Sequence, residues 1–212
     1  MENKVYIVGI GPGNKDYILP KAIDTLKKSD LIIGFERAIE SIYFVKGNKV
    51  IVKKLTDIIE LINSKESKNV SVVASGDPLF YGITDYLKKN YKGNIEIIPG
   101  LSSFQYMMSK IGKSWQGTFL GSLHGREDKF NDIVRDNAVS IWLTDKKHTP
   151  AYICKELNEK NVKARVYVGE NLSYEDEKIT IADIEEMENM SFSNLCVAVV
   201  ENLEYCVEEN EK

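Results

Sequence analysis

The stretch VYIVGIGPG at residues 5–13 is the most informative part of this chain for its fold class. Four apolar or aromatic residues, 5–8, run directly into three glycines within five positions, Gly9, Gly11 and Gly13. A short apolar run of this kind is typical of a buried parallel strand. Three glycines exceed what a tight turn needs, so we expect the backbone to approach a ligand closely here.

Strand and helix patterns alternate outward from this stretch, which predicts an α/β fold with a parallel sheet covered on both faces. Apolar strands are predicted at 31–34, 69–74, 95–98, 118–120, 140–143, 164–168 and 195–200. Helical spacing is found at 21–29, 56–63, 79–90, 102–111, 128–135 and 150–160. We predict two α/β domains, an N-terminal one at 1–113 with glycine-rich loops and a C-terminal one at 114–212. Residues 201–212 are expected to form a solvated tail.

Composition excludes several classes of protein. The 212 residues are 43% hydrophobic and carry a net charge of −4, which is not the composition of a disordered chain. No apolar run approaches the length of a transmembrane helix, and the N-terminus does not resemble a signal peptide, so we expect a cytoplasmic protein without membrane contact. The three cysteines, Cys154, Cys196 and Cys206, are widely spaced and predict neither a disulfide framework nor a zinc site.

Nucleic acid is not the expected partner of this chain. Only four of the 28 cationic side chains are arginine, and lysine and arginine form no long cluster. Residues 170–212 are strongly acidic, so residues 1–169 carry a positive net charge. This charge is compatible with an anionic ligand but equally with solubility alone.

The first glycine loop does not fit the dinucleotide fingerprint G-x-G-x-x-G. That fingerprint requires a glycine where this chain has Asn14, and Pro12 removes an N–H donor from the loop. About ten residues separate the turn from the next convincing helix, so a helix N-terminus is not available for a phosphate in the usual way. These features disfavour a nucleotide-dependent oxidoreductase.

Two further loops follow predicted strands. Ser75-Gly76-Asp77-Pro78 ends the strand at 69–74; locally, Asp77 is also a good N-cap and Pro78 a good first helical residue. Residues 99–103, Pro-Gly-Leu-Ser-Ser, end the strand at 95–98, and Ser102 or Ser103 is a candidate N-cap. Because parallel strands end at one edge of a sheet, we expect all three loops to meet there.

Together the three loops, with Gly82 beyond the second, resemble the tetrapyrrole methylase family in order and spacing. The resemblance implies two α/β domains with a ligand cleft between them, S-adenosylmethionine bound folded in that cleft as methyl donor, and a homodimer. The sequence shows no cluster of metal ligands, so no protein-bound metal is expected, and any cobalt would arrive in the substrate.

The resemblance also assigns candidate donor-binding residues from all three loops and from the second domain. They are Gly11, Pro12, Gly13, Gly76, Asp77, Pro78, Phe80, Ser102, Ser103, Leu143 and Leu172. Leu172 departs from a glycine that is common at its place in the family.

Three segments, LHGR at 123–126, LTD at 143–145 and HTPA at 148–151, resemble one branch of the family. These are the cobalt-precorrin-7 (precorrin-6Y type) carbon-5 methyltransferases of cobalamin biosynthesis. The branch implies a tetrapyrrole substrate and a separate decarboxylating carbon-15 methyltransferase as possible partner. The expected substrate contacts are Tyr81, His124 and Arg126. His124 is also the candidate for a catalytic base, and no role is assigned to His148.

Other functions remain compatible with these residues. Within the same fold, the acceptor could be that of a diphthine synthase or a ribosomal RNA methyltransferase. A nucleotide-dependent oxidoreductase and a binding module that senses the donor or a tetrapyrrole without turnover are alternatives from different classes.

Overall fold

The structure is a computed structural model that describes residues 4–64, 66–123 and 130–205. It confirms the predicted α/β class: strands and helices alternate along the chain and form two sheets. The chain divides into two compact units, Met1–Tyr106 and Met107–Lys212. The expected boundary after residue 113 lies just beyond a helix, Ser103–Ile111, inside which the two units divide.

The first unit contains a five-stranded parallel sheet. Its strands are β1 (Lys4–Gly9), β2 (Leu31–Phe35), β3 (Lys49–Val52), β4 (Asn69–Ala74) and β5 (Ile95–Ile98), in the order β3-β2-β4-β1-β5. Its helices are α1 (Pro20–Lys27), α2 (Glu36–Ser41), α3 (Leu55–Asn63), α4 (Thr84–Asn90) and α5 (Ser103–Ile111), with a 3-10 turn at Lys15–Tyr17.

Helices cover both faces of this sheet because the central strands are apolar on both sides. Val8 packs in a cluster with Leu26 of α1, while its neighbour Ile7 packs on the opposite face with Ile58 and Ile62 of α3. Val8, Ile7, Leu26, Ile58 and Ile62 are completely buried. The continuous apolar run of β1 thus fits the buried parallel strand that it predicted.

Helix α4 begins at Thr84, five residues later than the predicted start at 79. The intervening residues form a tight turn around the carbonyl of Pro78, which accepts a hydrogen bond of 2.7 Å from the Thr84 hydroxyl. Tyr81 in this turn has a φ of 51°, which is incompatible with a right-handed helix. Strand β3 and helix α2 were not predicted.

The second unit contains a mixed sheet. Its strands are β6 (Phe119–Ser122), β7 (Val139–Leu143), β8 (Ala164–Glu170), β9 (Lys178–Asp183) and β10 (Cys196–Asn202), in the order β6-β7-β10-β8-β9. Its helices after α5 are α6 (Phe130–Asp136), α7 (Pro150–Glu159) and α8 (Ile184–Met187). Strands β6 and β7 are parallel, whereas β10 pairs antiparallel with both β7 and β8, and β8 pairs antiparallel with β9.

The solvated tail predicted from residue 201 onward is wrong at its start. Glu201 and Asn202 belong to β10, and the Glu201 carboxylate accepts hydrogen bonds from Lys113 Nζ at 2.7 Å and from the Tyr167 hydroxyl at 2.8 Å. Two partners on neighbouring segments compensate the desolvation of this carboxylate, so a charged residue extends the strand.

Among the described residues, no helix combines the length and the apolar character needed to span a bilayer.

Candidate functional site

Three loops meet at the carboxyl edge of the first sheet. Strand β1 lies between β4 and β5, with Gly9 beside Ala74 and Val8 beside Ile98. All three strands run parallel, so the segments that follow them leave the sheet side by side. The geometry brings together the three loops that the sequence singled out.

The first and second loops are joined by backbone hydrogen bonds. The N–H of Gly76 donates to the carbonyl of Gly11 at 2.8 Å, and the N–H of Gly11 donates in return at 3.4 Å. Gly11 and Gly76 have φ values of 73° and 68°, a region that favours glycine. Side chains are therefore absent where these two loops pair.

The third loop reaches the same point. A Cβ added to Gly100 would lie 2.2 Å from the Gly76 carbonyl oxygen, and one added to Gly9 would lie 2.6 Å from the Gly100 nitrogen. Such distances are far below van der Waals contact. Backbone from all three loops is thus packed against backbone, which explains why each loop carries a glycine here.

Asp77 holds the second and third loops together. Its Oδ1 accepts a hydrogen bond from the N–H of Leu79 at 2.7 Å, and its Oδ2 accepts one from the N–H of Gly100 at 3.3 Å. The local interpretation of Asp77 as N-cap of a helix starting at Pro78 is wrong, because α4 begins only at Thr84. The carboxylate instead closes an Asx turn and bridges two loops.

The remaining donor-site candidates of the first unit lie at the same edge. Pro12 and Gly13 are buried in the first loop, and Pro78 is buried in the second. Ser103 opens α5, and Ser102 directly before it is only 3% exposed. The N–H of Ser102 donates to Gln105 Oε1 at 2.9 Å, the reciprocal half of a capping box.

Aromatic rings line the region next to these loops. Phe80 packs against Phe104 with ring centroids 4.6 Å apart, and against Tyr81 at 5.0 Å. Tyr81 is 40% exposed and adopts a left-handed backbone, which holds its ring outside any helix. An exposed aromatic face of this kind can stack on a flat ligand.

In the second unit, Leu143 and Leu172 lie near one edge of the mixed sheet. Leu143 ends β7 and pairs with Val197, which pairs in turn with Gly169 near the end of β8. A Cβ on Gly169 would lie 2.6 Å from Leu172 Cδ2 and 2.6 Å from Met107 Sδ. Leu172 is buried over this glycine, so the leucine that departs from the family pattern is accommodated by the missing side chain of Gly169.

The turn after β7 contains a cluster to which the sequence analysis gave no role. Asp145 Oδ1 accepts hydrogen bonds from the N–H groups of Lys147 and His148, at 2.9 and 2.6 Å. The His148 ring lies against Tyr152, and 7% of the residue is exposed. In the sequence, a histidine before Thr-Pro gives little indication of a functional role, because its burial depends on how β7 and α7 pack.

His124 and Arg126, the predicted substrate contacts in the segment after β6, lie outside the described residues. Within the described ranges, no group of three or more His, Cys, Asp or Glu side chains is placed to hold a metal ion. Burial raises the pKa of the Cys154 thiol to about 12 and that of Cys196 to about 11. Neither thiol is a ready nucleophile at neutral pH.

Comparison with known proteins agrees with this geometry. The family model described as Tetrapyrrole (Corrin/Porphyrin) Methylases matches residues 4–188. A probable cobalt-precorrin-7 C(5)-methyltransferase from Methanocaldococcus jannaschii is 34% identical over 93% of this chain and 97% of its own length. The cobalt-precorrin-7 C(5)-methyltransferase of Salmonella typhimurium is 31% identical over 82% of this chain and 87% of its own. A diphthine synthase from Saccharolobus islandicus is more distant, at 28% identity.

Solved structures show the same fold. The uroporphyrin-III C-methyltransferase of Thermus thermophilus, complexed with S-adenosylhomocysteine, superposes with a TM-score of 0.77 at 20% identity, covering 94% of this chain and 97% of that one. With a family match over most of the chain and a relative above 30% identity across almost all of it, this chain belongs to the tetrapyrrole (corrin/porphyrin) methylase family.

Proposed function

We propose that this chain transfers a methyl group from S-adenosylmethionine to carbon 5 of cobalt-precorrin-7 in cobalamin biosynthesis. The observation that carries the proposal is the similarity to two cobalt-precorrin-7 C(5)-methyltransferases across most of both chains. The more distant diphthine synthase supports a protein acceptor less well.

The proposed donor site lies mainly in the first unit. Gly11, Gly13 and Gly76 have positive φ values and carry no side chain, so a ligand can approach the backbone of the first two loops without meeting a Cβ. We assign donor binding there to Gly11, Pro12, Gly13, Gly76, Asp77, Pro78, Phe80, Ser102 and Ser103. Leu143 and Leu172 are the proposed apolar contacts from the second unit. Within this set, Asp77 acts by positioning the loops, because its carboxylate already accepts two backbone N–H groups.

The donor supplies a methyl group that is already activated by a sulfonium, so the protein need not provide a covalent nucleophile. The task of these residues is to hold donor and acceptor in line. Alignment of two reactants can lower a barrier by roughly 7–11 kcal/mol. Both described cysteines are unsuited to nucleophilic attack, which agrees with such a mechanism.

For the acceptor we propose contacts from Tyr81, His124 and Arg126. A tetrapyrrole precursor presents a flat face and several carboxylates. The exposed ring of Tyr81 suits the face, and the guanidinium of Arg126 suits a carboxylate because it donates in a bidentate fork. We further propose a cytoplasmic homodimer that works beside a separate decarboxylating carbon-15 methyltransferase.

The test begins with calorimetric titration of the purified protein with S-adenosylhomocysteine and, separately, with NAD. We expect binding of S-adenosylhomocysteine alone. Binding of NAD alone would identify a nucleotide-dependent enzyme instead. Turnover is then measured with cobalt-precorrin-7 and, in parallel, with the protein substrate of diphthine synthases. Methyl transfer to the corrin precursor only is the expected result, and transfer to the protein only would overturn the proposal.

A further inference from the structure

The turn that follows β7 contains a histidine and an aspartate in the arrangement of a base and its orienting group. His148 Nδ1 lies 3.3 Å from Asp145 Oδ1, and 9% of the histidine side chain is accessible. The two atoms are within ion-pair distance but are not aligned as a hydrogen bond, so Nδ1 has no hydrogen-bond partner in the described part of the chain. Catalytic hydrogen bonds are often long before the reactants bind.

The surroundings hold this pair in place. Asp145 Oδ1 is fixed by the backbone N–H groups of Lys147 and His148, and the N–H of Asp145 donates to the His148 carbonyl at 3.3 Å. The Tyr152 ring packs edge-on against the imidazole at 5.4 Å. Thr149 caps α7 by accepting from the N–H of Tyr152 at 3.1 Å. The charged residues nearest His148 in sequence are Lys147 and Lys146, followed by Asp145.

This turn leaves the carboxyl end of β7 in the second sheet. It starts directly after Leu143, a proposed donor contact, and Thr144, which is anchored by a hydrogen bond of 3.0 Å from its hydroxyl to the Cys196 carbonyl. Strand β6 ends beside it, since Ser122 pairs with Leu143. The pair thus directly follows the strand end that carries Leu143, a proposed site residue.

We propose that His148 is the proton acceptor of the methyl-transfer reaction and that Asp145 orients it; this inference rests on the proposed function. Asp145 can only accept at Nδ1, which favours the tautomer with the proton on Nδ1 and leaves the Nε2 lone pair free. The aspartate also stabilises the imidazolium that forms, as in other base–carboxylate pairs.

Methylation of a ring carbon that bears hydrogen requires such an acceptor. One bond forms between the ring carbon and the methyl carbon, and the bond from methyl to sulfur breaks with its electron pair left on sulfur. The C–H bond of the ring carbon then breaks, its electron pair returns to the macrocycle, and the proton passes to His148 Nε2.

The kinetic test uses the full chain with His148→Ala and His148→Gln, assayed with S-adenosylmethionine and cobalt-precorrin-7. We expect kcat to fall about 100-fold or more, with the acid limb of the pH profile lost and S-adenosylhomocysteine affinity unchanged. Added imidazole should restore part of the activity of the alanine variant. The matched control is Thr149→Ala, which loses the neighbouring helix cap and should leave the pH profile unchanged.

A His148→Gln protein that folds, binds S-adenosylhomocysteine and keeps wild-type kcat and pH profile would overturn the inference. Loss of the acid limb in His124→Gln, with its retention in His148→Gln, would assign the role to His124 instead and also overturn it. Wild-type protein that binds the donor product but turns over no corrin precursor would contradict the proposed function itself.

Ring-nitrogen NMR of the protein without ligands gives a readout that does not depend on turnover. The chain has two histidines, so His148→Gln assigns the signals. We expect His148 to carry its proton on Nδ1 and Asp145→Asn to change that tautomer. A proton on Nε2 in the wild type would overturn the inference whatever the activity.

Discussion

The two sheet edges to which we assign the proposed donor contacts are built in different ways. At the first, backbone atoms of Gly9, Gly76 and Gly100 touch one another without side chains between them. At the second, the space beside Gly169 is filled by the side-chain ends of Leu172 and Met107. Backbone contacts cannot relax around an added atom, whereas long apolar side chains can change rotamer. The first edge should therefore tolerate substitution far less than the second.

The largest effect is expected from Gly100→Ala. The new Cβ would lie 2.2 Å from a backbone oxygen that is itself held by the loop pairing, so we expect unfolding free energy to drop by about 3 kcal/mol. Binding of S-adenosylhomocysteine should be lost as well. Denaturant unfolding and calorimetry measure the two effects.

The control for this variant is Gly117→Ala. Gly117 has a φ of 75° but no heavy atom near the position of an added Cβ, so it reports backbone strain alone, about 1 kcal/mol. If Gly100→Ala lowers the free energy of unfolding no more than Gly117→Ala does, the backbone contacts at the first edge can relax. The proposed difference between the two sheet edges is then wrong.

Gly169→Ala tests the second edge directly. Its Cβ would meet Leu172 Cδ2 and Met107 Sδ, each at 2.6 Å, and both are flexible chain ends. We expect a loss of about 2 kcal/mol, which a second substitution, Leu172→Ala, should partly restore by making room. Denaturant unfolding of the single and double variants measures the coupling. Simple additivity of the two substitutions would show that the side chains do not share this space.

Asp77→Ala removes a side chain that bridges the second and third loops at the first edge. Two backbone N–H groups lose their acceptor, so we expect a stability loss of about 1 kcal/mol together with weaker S-adenosylhomocysteine binding. Asp77→Asn keeps one acceptor oxygen, so its stability and its affinity for S-adenosylhomocysteine should lie between those of the wild type and those of Asp77→Ala. Unchanged donor-product affinity in a folded alanine variant would remove Asp77 from the site.

The smallest expected change in the free energy of unfolding is that of substituting Glu201 in the second unit. The hydrogen bond from Lys113 lowers the pKa of Glu201, and the same bond raises the pKa of Lys113. The contribution of the Glu201 carboxylate to the free energy of unfolding is therefore present above its unfolded pKa of about 4.3. It is lost as the pH falls through the lower pKa of the folded state. The contribution of Lys113 to the free energy of unfolding is present below its unfolded pKa of about 10.4. It is lost as the pH rises through the higher pKa of the folded state.

Glu201→Gln should accordingly cost about 0.5 kcal/mol at pH 7, with the difference from wild type shrinking in acid below pH 4. Both charged groups are partly exposed, at 31% for Lys113 and 27% for Glu201, which keeps the effect small. The measurement is urea unfolding across pH, with Glu186→Gln on α8 as control. A difference that grows in acid would contradict the sign.

The glycine loops of the first unit could be predicted because their requirements are local. An apolar run such as residues 5–8 is buried on both sides wherever it lies, and glycines after parallel strands meet at one edge. The start of α4 was wrong because the turn at Tyr81 depends on the hydrogen bond from Thr84 to the Pro78 carbonyl, a contact that composition does not reveal.

The second unit was less accessible to prediction. Strand β9 was not predicted, and Glu201 was assigned to a tail although Lys113 and Tyr167 hold it in β10. These partners lie 88 and 34 residues away in the chain. The insertion of the last strand antiparallel between β7 and β8 likewise has no local signature.

Residue order alone was sufficient for the α/β class and the three loops, since both follow from short stretches whose apolar spacing and glycines act locally. The family was indicated by the resemblance of those loops, in order and spacing, to the loops of tetrapyrrole methylases. The mixed order of the second sheet, the bridging role of Asp77 and the burial of His148 beside Asp145 became visible only in the folded chain. Each depends on groups whose proximity is produced by packing, and packing free energy is summed over contacts between residues far apart in sequence.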